Sequence, residues 1–80
     1  MLTELRSSDK VIGVKQSRRA IRDGLARRVF LAADADPDLV APLREQCRQR
    51  AVPVFTQYTM RELGQAAGIQ VGAAVVALLK

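Results

Sequence analysis

The hydrophobic and polar positions of this 80-residue chain follow two kinds of pattern. Some stretches place an apolar residue every three or four positions, which predicts amphipathic helices, and others are unbroken apolar runs, which predict buried strands. In chain order, these patterns predict helices over 2–8, 13–24, 37–50 and 60–67 and strands over 11–12, 27–33, 52–56 and 73–79. Strands that alternate with helices predict an α/β fold. We therefore expect one domain over residues 1–80, a three-layer α/β/α sandwich with a four-stranded mixed sheet.

Local sequence signals support the ends of the predicted helices. Gly13 and Gly24 bound the second helix, because glycine suits both a tight turn and a helix end. Thr59 and Glu62 have the spacing of a capping box at the start of the fourth helix. The periodicity predicts these inward-facing residues for the last three helices: Ser17, Ala20, Ile21 and Leu25; Leu39, Val40, Leu43 and Cys47; Met60, Leu63 and Ala67.

Composition narrows the classes of function. Hydrophobic residues make up 49% of the chain, as in globular proteins, and there is one cysteine and no histidine. The chain therefore has no internal disulfide, no cysteine-based metal site and no histidine general base, so we expect neither catalysis nor a cofactor. The longest apolar run, Val71–Leu79, is shorter than a membrane span, and the N-terminus lacks an apolar signal core. We expect a cytoplasmic monomer without a membrane partner.

Positive charge is concentrated in one part of the sequence. The net charge is +5, and eight of the thirteen lysines and arginines lie within residues 6–28, where Asp9 and Asp23 are the acidic residues. The excess is therefore a local patch, which is typical of a protein that binds a polyanion. Nucleic acid is the first candidate partner, and the alternative is a protein-interaction or regulatory α/β domain with an acidic partner.

The basic patch centres on the predicted helix over 13–24. Lys15, Arg18, Arg19 and Arg22 have the spacing i, i+3, i+4 and i+7, so they project from one face. The helix begins after Gly13, and a helix N-terminus offers free backbone N–H groups and the positive end of the helix dipole. Such a surface could bind phosphate groups. The alternative interpretation is that this basic helix face is simply exposed to solvent.

Three carboxylates lie close together between the second strand and the third helix, at Asp34, Asp36 and Asp38. They could form a metal site, but no EF-hand spacing follows. Asp36 is well placed as a helix N-cap, with Pro37 at the first helical position. We favour the helix start and expect no metal site. We also expect Cys47 to be a core residue, since no histidine is present to activate its thiol.

Three segments, in order, resemble the kink-turn-binding ribosomal-protein family (the archaeal large-subunit L-seven-Ae type), especially its small bacterial branch. The resemblance covers about residues 11–80, and the third segment is the most specific. The segments are Gly13-Val14-Lys15-Gln16-Ser17-Arg18-Arg19-Ala20, Ala33-Asp34-Ala35-Asp36-Pro37 and Leu63-Gly64-Gln65-Ala66-Ala67-Gly68-Ile69-Gln70-Val71-Gly72-Ala73-Ala74.

This resemblance implies an RNA partner. Proteins of the family are α/β/α sandwiches that bind the kink-turn, a sharply bent RNA helix with tandem sheared G·A pairs. The family pattern Gly-x-Asn-Glu-x-x-Lys, which reads those pairs, corresponds here to Gly13, Lys15-Gln16 and Arg19. The family loop that packs on extruded bases corresponds to Ile69, Gln70 and Val71. The implied RNA-binding residues, with electrostatic support from the helix face, are Gly13, Lys15, Gln16, Arg18, Arg19, Arg22, Ile69, Gln70 and Val71.

The chain departs from the family pattern at two places. Lys15-Gln16 replaces Asn-Glu, so a cation takes the place of an amide, and an amide with one acceptor oxygen takes the place of a carboxylate. The second departure is Gly72, where the family often has proline, so the loop is expected to be less rigid. The implied target remains a kink-turn in rRNA or an mRNA leader, with association with the ribosome as a further expectation.

Overall fold

The computed structural model describes residues 2–80, which contain every predicted helix and strand in the predicted order. Most differences are at element ends. The last strand begins at Val75 rather than at residue 73, and the third strand is shorter than predicted. The elements are α1 Leu2–Ser7, β1 Lys10–Ile12, α2 Val14–Arg22, β2 Ala26–Leu31, α3 Pro37–Gln49, β3 Val54–Phe55, α4 Met60–Ala67 and β4 Val75–Leu79.

The four strands form one mixed sheet in the order β1-β4-β2-β3. β4 is antiparallel to both β1 and β2, and β2 is parallel to β3. The buried apolar runs of β2 and β4 therefore occupy the centre, as the sequence pattern predicts. The ladder between β2 and β4 is interrupted by a bulge at Arg27, because Ala26 pairs with Leu79 and Arg28 pairs with Leu78.

The helices pack in two pairs, α1 with α4 and α2 with α3, which gives the expected three-layer architecture. One continuous core of small and branched side chains joins the layers. Cys47 is fully buried in this core, and burial raises the pKa of its thiol to about 11. The cysteine is therefore a packing residue that stays protonated at neutral pH. Within residues 2–80, no helix is long and apolar enough to cross a membrane.

Helix ends follow the predicted chemistry. The Asp36 side chain accepts a hydrogen bond from the backbone N–H of Asp38, at 2.9 Å, and caps α3. Thr59 and Glu62 form the predicted capping box of α4. Gly24 follows the last residues of α2 with φ +72°, a left-handed conformation that suits glycine. The carboxylate of Asp34 accepts from the backbone N–H of Met60, so two of the three clustered carboxylates hold the backbone.

Two leucines predicted to face the core are exposed instead. Leu25 is 52% exposed and Leu39 is 48% exposed. α2 ends before Leu25, and the left-handed Gly24 turns the chain, so the helical periodicity does not extend to this residue. On α3 the buried stripe consists of Val40, Leu43 and Cys47, and Leu39 lies at its margin, about 100° around the helix from Val40 and about 40° from Leu43.

Candidate nucleic-acid interface

Gly13 sets the geometry at the start of α2. Its backbone lies at φ 106° and ψ 161°, a region that is essentially restricted to glycine. Its N–H donates to the carbonyl oxygen of Val75 at 2.9 Å, which ties the helix start to the start of β4. A Cβ built on Gly13 would have no described atom within 4 Å. The backbone is therefore open to an approaching ligand on that side.

The first turn of α2 carries no internal neutralising group. Gly13 has no side chain to accept from the first N–H groups, and the first turn contains no acidic residue. The N-termini of α3 and α4 differ, because Asp36 and Thr59 cap them with side-chain oxygens. The electropositive N-terminus of α2 is therefore available to an external anion or acceptor.

The four cations predicted on one face of α2 are all exposed, and the buried residues Ser17, Ala20 and Ile21 lie on the opposite face. Among residues 2–80, Lys15, Arg18 and Arg19 form no ion pair. Gln16 is also exposed on the first turn.

Arg22 is in a different environment from these three cations. It pairs with Asp23 at 2.9 Å, and its hydrogen bond lowers the pKa of that carboxyl. Arg22 also lies about 13 Å along the helix axis from Gly13, so it is remote from the helix start.

Two arginines of the basic sequence segment, Arg27 and Arg28, bind other groups of the protein. The Arg28 guanidinium pairs with Glu4 of α1, and this hydrogen bond is the main cause of the lowered pKa of Glu4. Arg27, at the bulge, donates to the Leu79 carbonyl oxygen and to Ser8 Oγ, each at 3.2 Å. The basic patch is therefore smaller than the count of cations suggested, and its unpaired part includes Lys15, Arg18 and Arg19 of α2.

The loop between α4 and β4 is folded back against α4. Gly68, at φ +85°, ends the helix, and the N–H of Ile69 donates to the Gly64 carbonyl oxygen at 3.0 Å. A Cβ on Gly64 would lie 2.1 Å from the carbonyl oxygen of Val71, a distance that no side chain tolerates. The absence of a side chain at Gly64 thus lets the loop backbone rest on the helix.

The same loop presents both apolar and polar side chains to solvent. Val71 is 71% exposed, which is unusual for a large aliphatic residue, and Gln70 is also exposed. Ile69 is half-buried and packs against the core, so it anchors the loop. The loop therefore has a fixed base and an exposed apolar tip that could contact a ligand.

The helix start and this loop meet at one edge of the sheet. The hydrogen bond from Gly13 to Val75 places the start of α2 next to the start of β4. Val75 is four residues after Val71, the last residue of the loop segment. The end of β2 reaches the same edge, where the Ala32 N–H donates to the Ala74 carbonyl oxygen at 2.8 Å. The structure therefore brings Gly13, Lys15 and Gln16 to the edge that carries the loop. Arg18 and Arg19 continue along the exposed helix face.

A pocket of about 430 Å³ lies beside the loop and was not predicted from the sequence. One wall is the loop, and the other is formed by Asp34 and the first turns of α4, including Arg61 and Gln65. In the sequence, Arg61 lies in a short predicted helix and does not belong to a cluster of basic residues. Its spacing of four from Gln65, which puts both residues on one helical face, is the available signal.

Comparisons with known proteins agree with this architecture. The sequence profile of the ribosomal protein L7Ae/L30e/S12e/Gadd45 family matches residues 2–80. An RNA-binding protein of Geobacillus sp. (strain WCH70) is 41% identical over 76 residues, which cover 95% of this chain and 93% of the relative. The RNA-binding protein YbxF of Geobacillus stearothermophilus is also 41% identical over 76 residues, with the same coverage of both chains.

Two solved structures have the same fold. The Giardia lamblia 15.5kD RNA binding protein superposes with a TM-score of 0.90 at 26% identity, over 99% of this chain and 70% of that protein. A protein of unknown function from Bacillus halodurans C also gives a TM-score of 0.90, at 23% identity, over 99% of this chain and 83% of that protein. The profile match over residues 2–80 and the two Geobacillus relatives show that the chain belongs to the ribosomal protein L7Ae/L30e/S12e/Gadd45 family.

Proposed function

We propose that this protein binds structured RNA and that its target is a kink-turn with tandem sheared G·A pairs. The observation that supports the proposal is that an uncapped helix start and an exposed apolar loop lie at one edge of the sheet. The first is the uncapped N-terminus of α2, with Lys15 and Gln16, and the second is the exposed loop Ile69–Val71. Phosphates and base edges suit the first surface, and unstacked bases suit the second.

Each surface supplies contacts that a bent RNA requires. The N–H groups at the helix start and the Lys15 ammonium are donors for phosphate oxygens and for the acceptor edge of guanine. The Gln16 amide both donates and accepts, so it can bind a base edge with one hydrogen bond of each kind. Val71 offers an aliphatic surface to a base that the kink extrudes.

The aromatic side chains form one cluster. Phe30 is buried, and its ring lies 5.3 Å from Phe55 and 6.1 Å from Tyr58, measured between ring centroids. These rings pack on one another, so extruded bases would contact aliphatic side chains. This arrangement favours a structured RNA over a single strand stacked on an aromatic platform.

The names of the relatives support an RNA partner. The two Geobacillus proteins and the Giardia protein are named as RNA-binding proteins, and the family description is that of ribosomal proteins. We therefore include rRNA, in association with the ribosome, and mRNA leaders among the proposed targets. One copy of the chain carries both surfaces, so we propose that the monomer binds.

A gel-shift titration tests the proposal. One RNA contains a kink-turn, and its matched control has the two sheared G·A pairs replaced by Watson–Crick pairs. We expect binding to the control to be weaker by at least about ten-fold, equivalent to about 1.4 kcal/mol. Equal binding to both RNAs would contradict kink-turn specificity and leave a general affinity for RNA. Binding to neither RNA would contradict the proposed function altogether.

A further inference from the structure

We infer that Arg61 is a further RNA-binding residue, which holds a phosphate next to the nucleotide whose base packs on the Ile69–Val71 loop. This inference rests on the proposed function and extends the contact surface from the loop to the first turn of α4. It assigns a role to a residue that neither the charge pattern of the sequence nor its motifs identify.

The first support is the position of Arg61 in the pocket beside the loop. The pocket has a volume of about 430 Å³, and Arg61, Ile69 and Val71 all line it. Its size is within the range of about 300–1,000 Å³ that is typical of small-ligand sites. A nucleotide has an apolar base face and an anionic phosphate, and this pocket has an aliphatic side and a guanidinium to match them.

The second support is that the Arg61 guanidinium is free to bind an external anion. Arg61 is exposed, and within residues 2–80 its side chain makes no ion pair or hydrogen bond. Glu62 is the adjacent carboxylate in the sequence, and Asp34 is the carboxylate that lines the same pocket. Each of them accepts a hydrogen bond from a backbone N–H. Asp34 Oδ1 accepts from the N–H of Met60 at 2.8 Å, and Glu62 Oε1 accepts from the N–H of Thr59 at 2.9 Å.

The third support is the charge balance around the loop. Asp34 and Arg61 are the charged residues that line the pocket, so without Arg61 the formal charge of its lining would be negative. An RNA backbone that passes the loop would then meet repulsion. Arg61 supplies the positive charge that lets a phosphate approach, and its planar group can bind two phosphate oxygens at once.

The test compares Arg61→Ala with Arg50→Ala in binding to the kink-turn RNA at several salt concentrations. Arg50 is the matched control because it is exposed, lacks an ion pair in the described chain and lies at the end of α3, about 20 Å along the helix axis from Asp36. We expect Arg61→Ala to weaken binding about five- to ten-fold and to reduce the slope of log K against log salt by about 0.7–0.9, which corresponds to one phosphate. Arg50→Ala should leave both quantities close to those of the wild-type protein.

A chemical change in the RNA locates the contact. Neutral methylphosphonates replace the phosphates that flank the extruded nucleotide, and we expect Arg61→Ala to have little further effect on the affinity for this RNA, since coupled groups are not additive. If Arg61→Ala weakens binding to the neutral and the natural RNA equally, Arg61 does not hold those phosphates and the inference is wrong.

The outcomes for the two proposals can be distinguished. If the wild-type protein binds the kink-turn RNA and Arg61→Ala matches Arg50→Ala in affinity and salt slope, the inference about Arg61 is overturned and the proposed function stands. If the wild-type protein does not bind the kink-turn RNA, the proposed function fails and the inference fails with it. A thermal melt of each variant confirms folding, which an exposed arginine without side-chain partners should not affect.

Discussion

Gly13 is the single residue on which the presentation of the α2 N-terminus depends most. Its backbone conformation lets the chain leave β1, donate a hydrogen bond to Val75 and enter the helix within one residue. Because it has no side chain, it neither caps the helix nor blocks access to the first-turn N–H groups. Gly13 therefore allows the tight turn before the helix and also leaves the electropositive N-terminus of the helix uncapped.

Replacement of Gly13 by alanine should destabilise the protein by about 1–3 kcal/mol, because only glycine adopts its backbone conformation without strain. The cost is conformational, since a Cβ at this position has open space around it. Urea-induced unfolding measures the change, and Gln16→Ala, at an exposed position on the first turn of the same helix, is the control with an expected change within about 0.5 kcal/mol. A Gly13→Ala variant as stable as the wild type would contradict the strained geometry.

The cations of α2 should differ in their importance for RNA binding. Lys15→Ala and Arg19→Ala should each reduce the salt slope of binding by about 0.7–0.9, the equivalent of one phosphate. Arg22→Ala should have a smaller effect, because Arg22 is paired with Asp23 and lies far from the helix start. Binding isotherms at several salt concentrations give the slopes. An unchanged slope for Lys15→Ala would show that Lys15 does not contact a phosphate.

At the scale of elements, the loop after α4 depends on a glycine inside the helix. The carbonyl oxygen of Val71 occupies the space that a side chain on Gly64 would need. The loop is further held by hydrogen bonds from Ile69 to Gly64 and from Ala73 to Met60. The exposed apolar tip is therefore a supported feature of the fold, with one end on α4 and the other leading into β4.

Gly64→Ala separates the effects of helix propensity and loop packing. Alanine favours a helix interior by about 1 kcal/mol over glycine, so propensity alone predicts a more stable protein. We expect the reverse, because the added Cβ forces the loop away from α4, and we expect weaker binding of kink-turn RNA as the loop moves. Chemical denaturation and a gel shift measure the two effects. Higher stability with unchanged RNA affinity would show that the loop does not need this close approach.

The order of elements was predictable from the sequence because apolar periodicity and capping residues mark each helix and strand locally. The exposed positions of Leu25 and Leu39 were not, since they depend on where a helix stops and on which face of it meets the sheet. The internal roles of Arg27 and Arg28 depend on α1 and β4, which are distant in sequence. The place of Arg61 in the pocket beside the loop is also non-local, because it requires α4 and the returning loop to be packed together.

At the scale of the whole molecule, α1 is joined to the sheet by both apolar and ionic contacts. Leu5 is fully buried in the core, and Glu4 pairs with Arg28 of β2. The hydrogen bond from Arg28 lowers the pKa of Glu4 in the folded state. The ionised carboxylate therefore contributes stability above the pKa it has in the unfolded chain, and this contribution is lost as the pH falls through the folded pKa.

The stability difference between the wild type and Glu4→Gln should therefore depend on pH. We expect the wild type to be more stable at pH 7 and the difference to shrink as the pH falls below the unfolded-state pKa of about 4.3 and through the lowered pKa of the folded state. Urea unfolding of both proteins at several pH values measures this difference. Asp23 and Glu45 also have pKa values lowered by arginine partners, but they are present in both proteins, so the difference reports Glu4. A difference that is constant with pH would contradict the ion pair.

We propose that one edge of the molecule, formed by the start of α2 and the loop before β4, binds a kink-turn RNA. The most direct test is to map backbone amide NMR shifts as the RNA is added to the isotopically labelled protein. We predict that the largest changes fall on Gly13–Gln16 and Ile69–Val71 together, with smaller changes at the far end of α3 near Arg50. Shifts concentrated on another face, or on one of the two segments without the other, would show that the RNA does not bind across this edge.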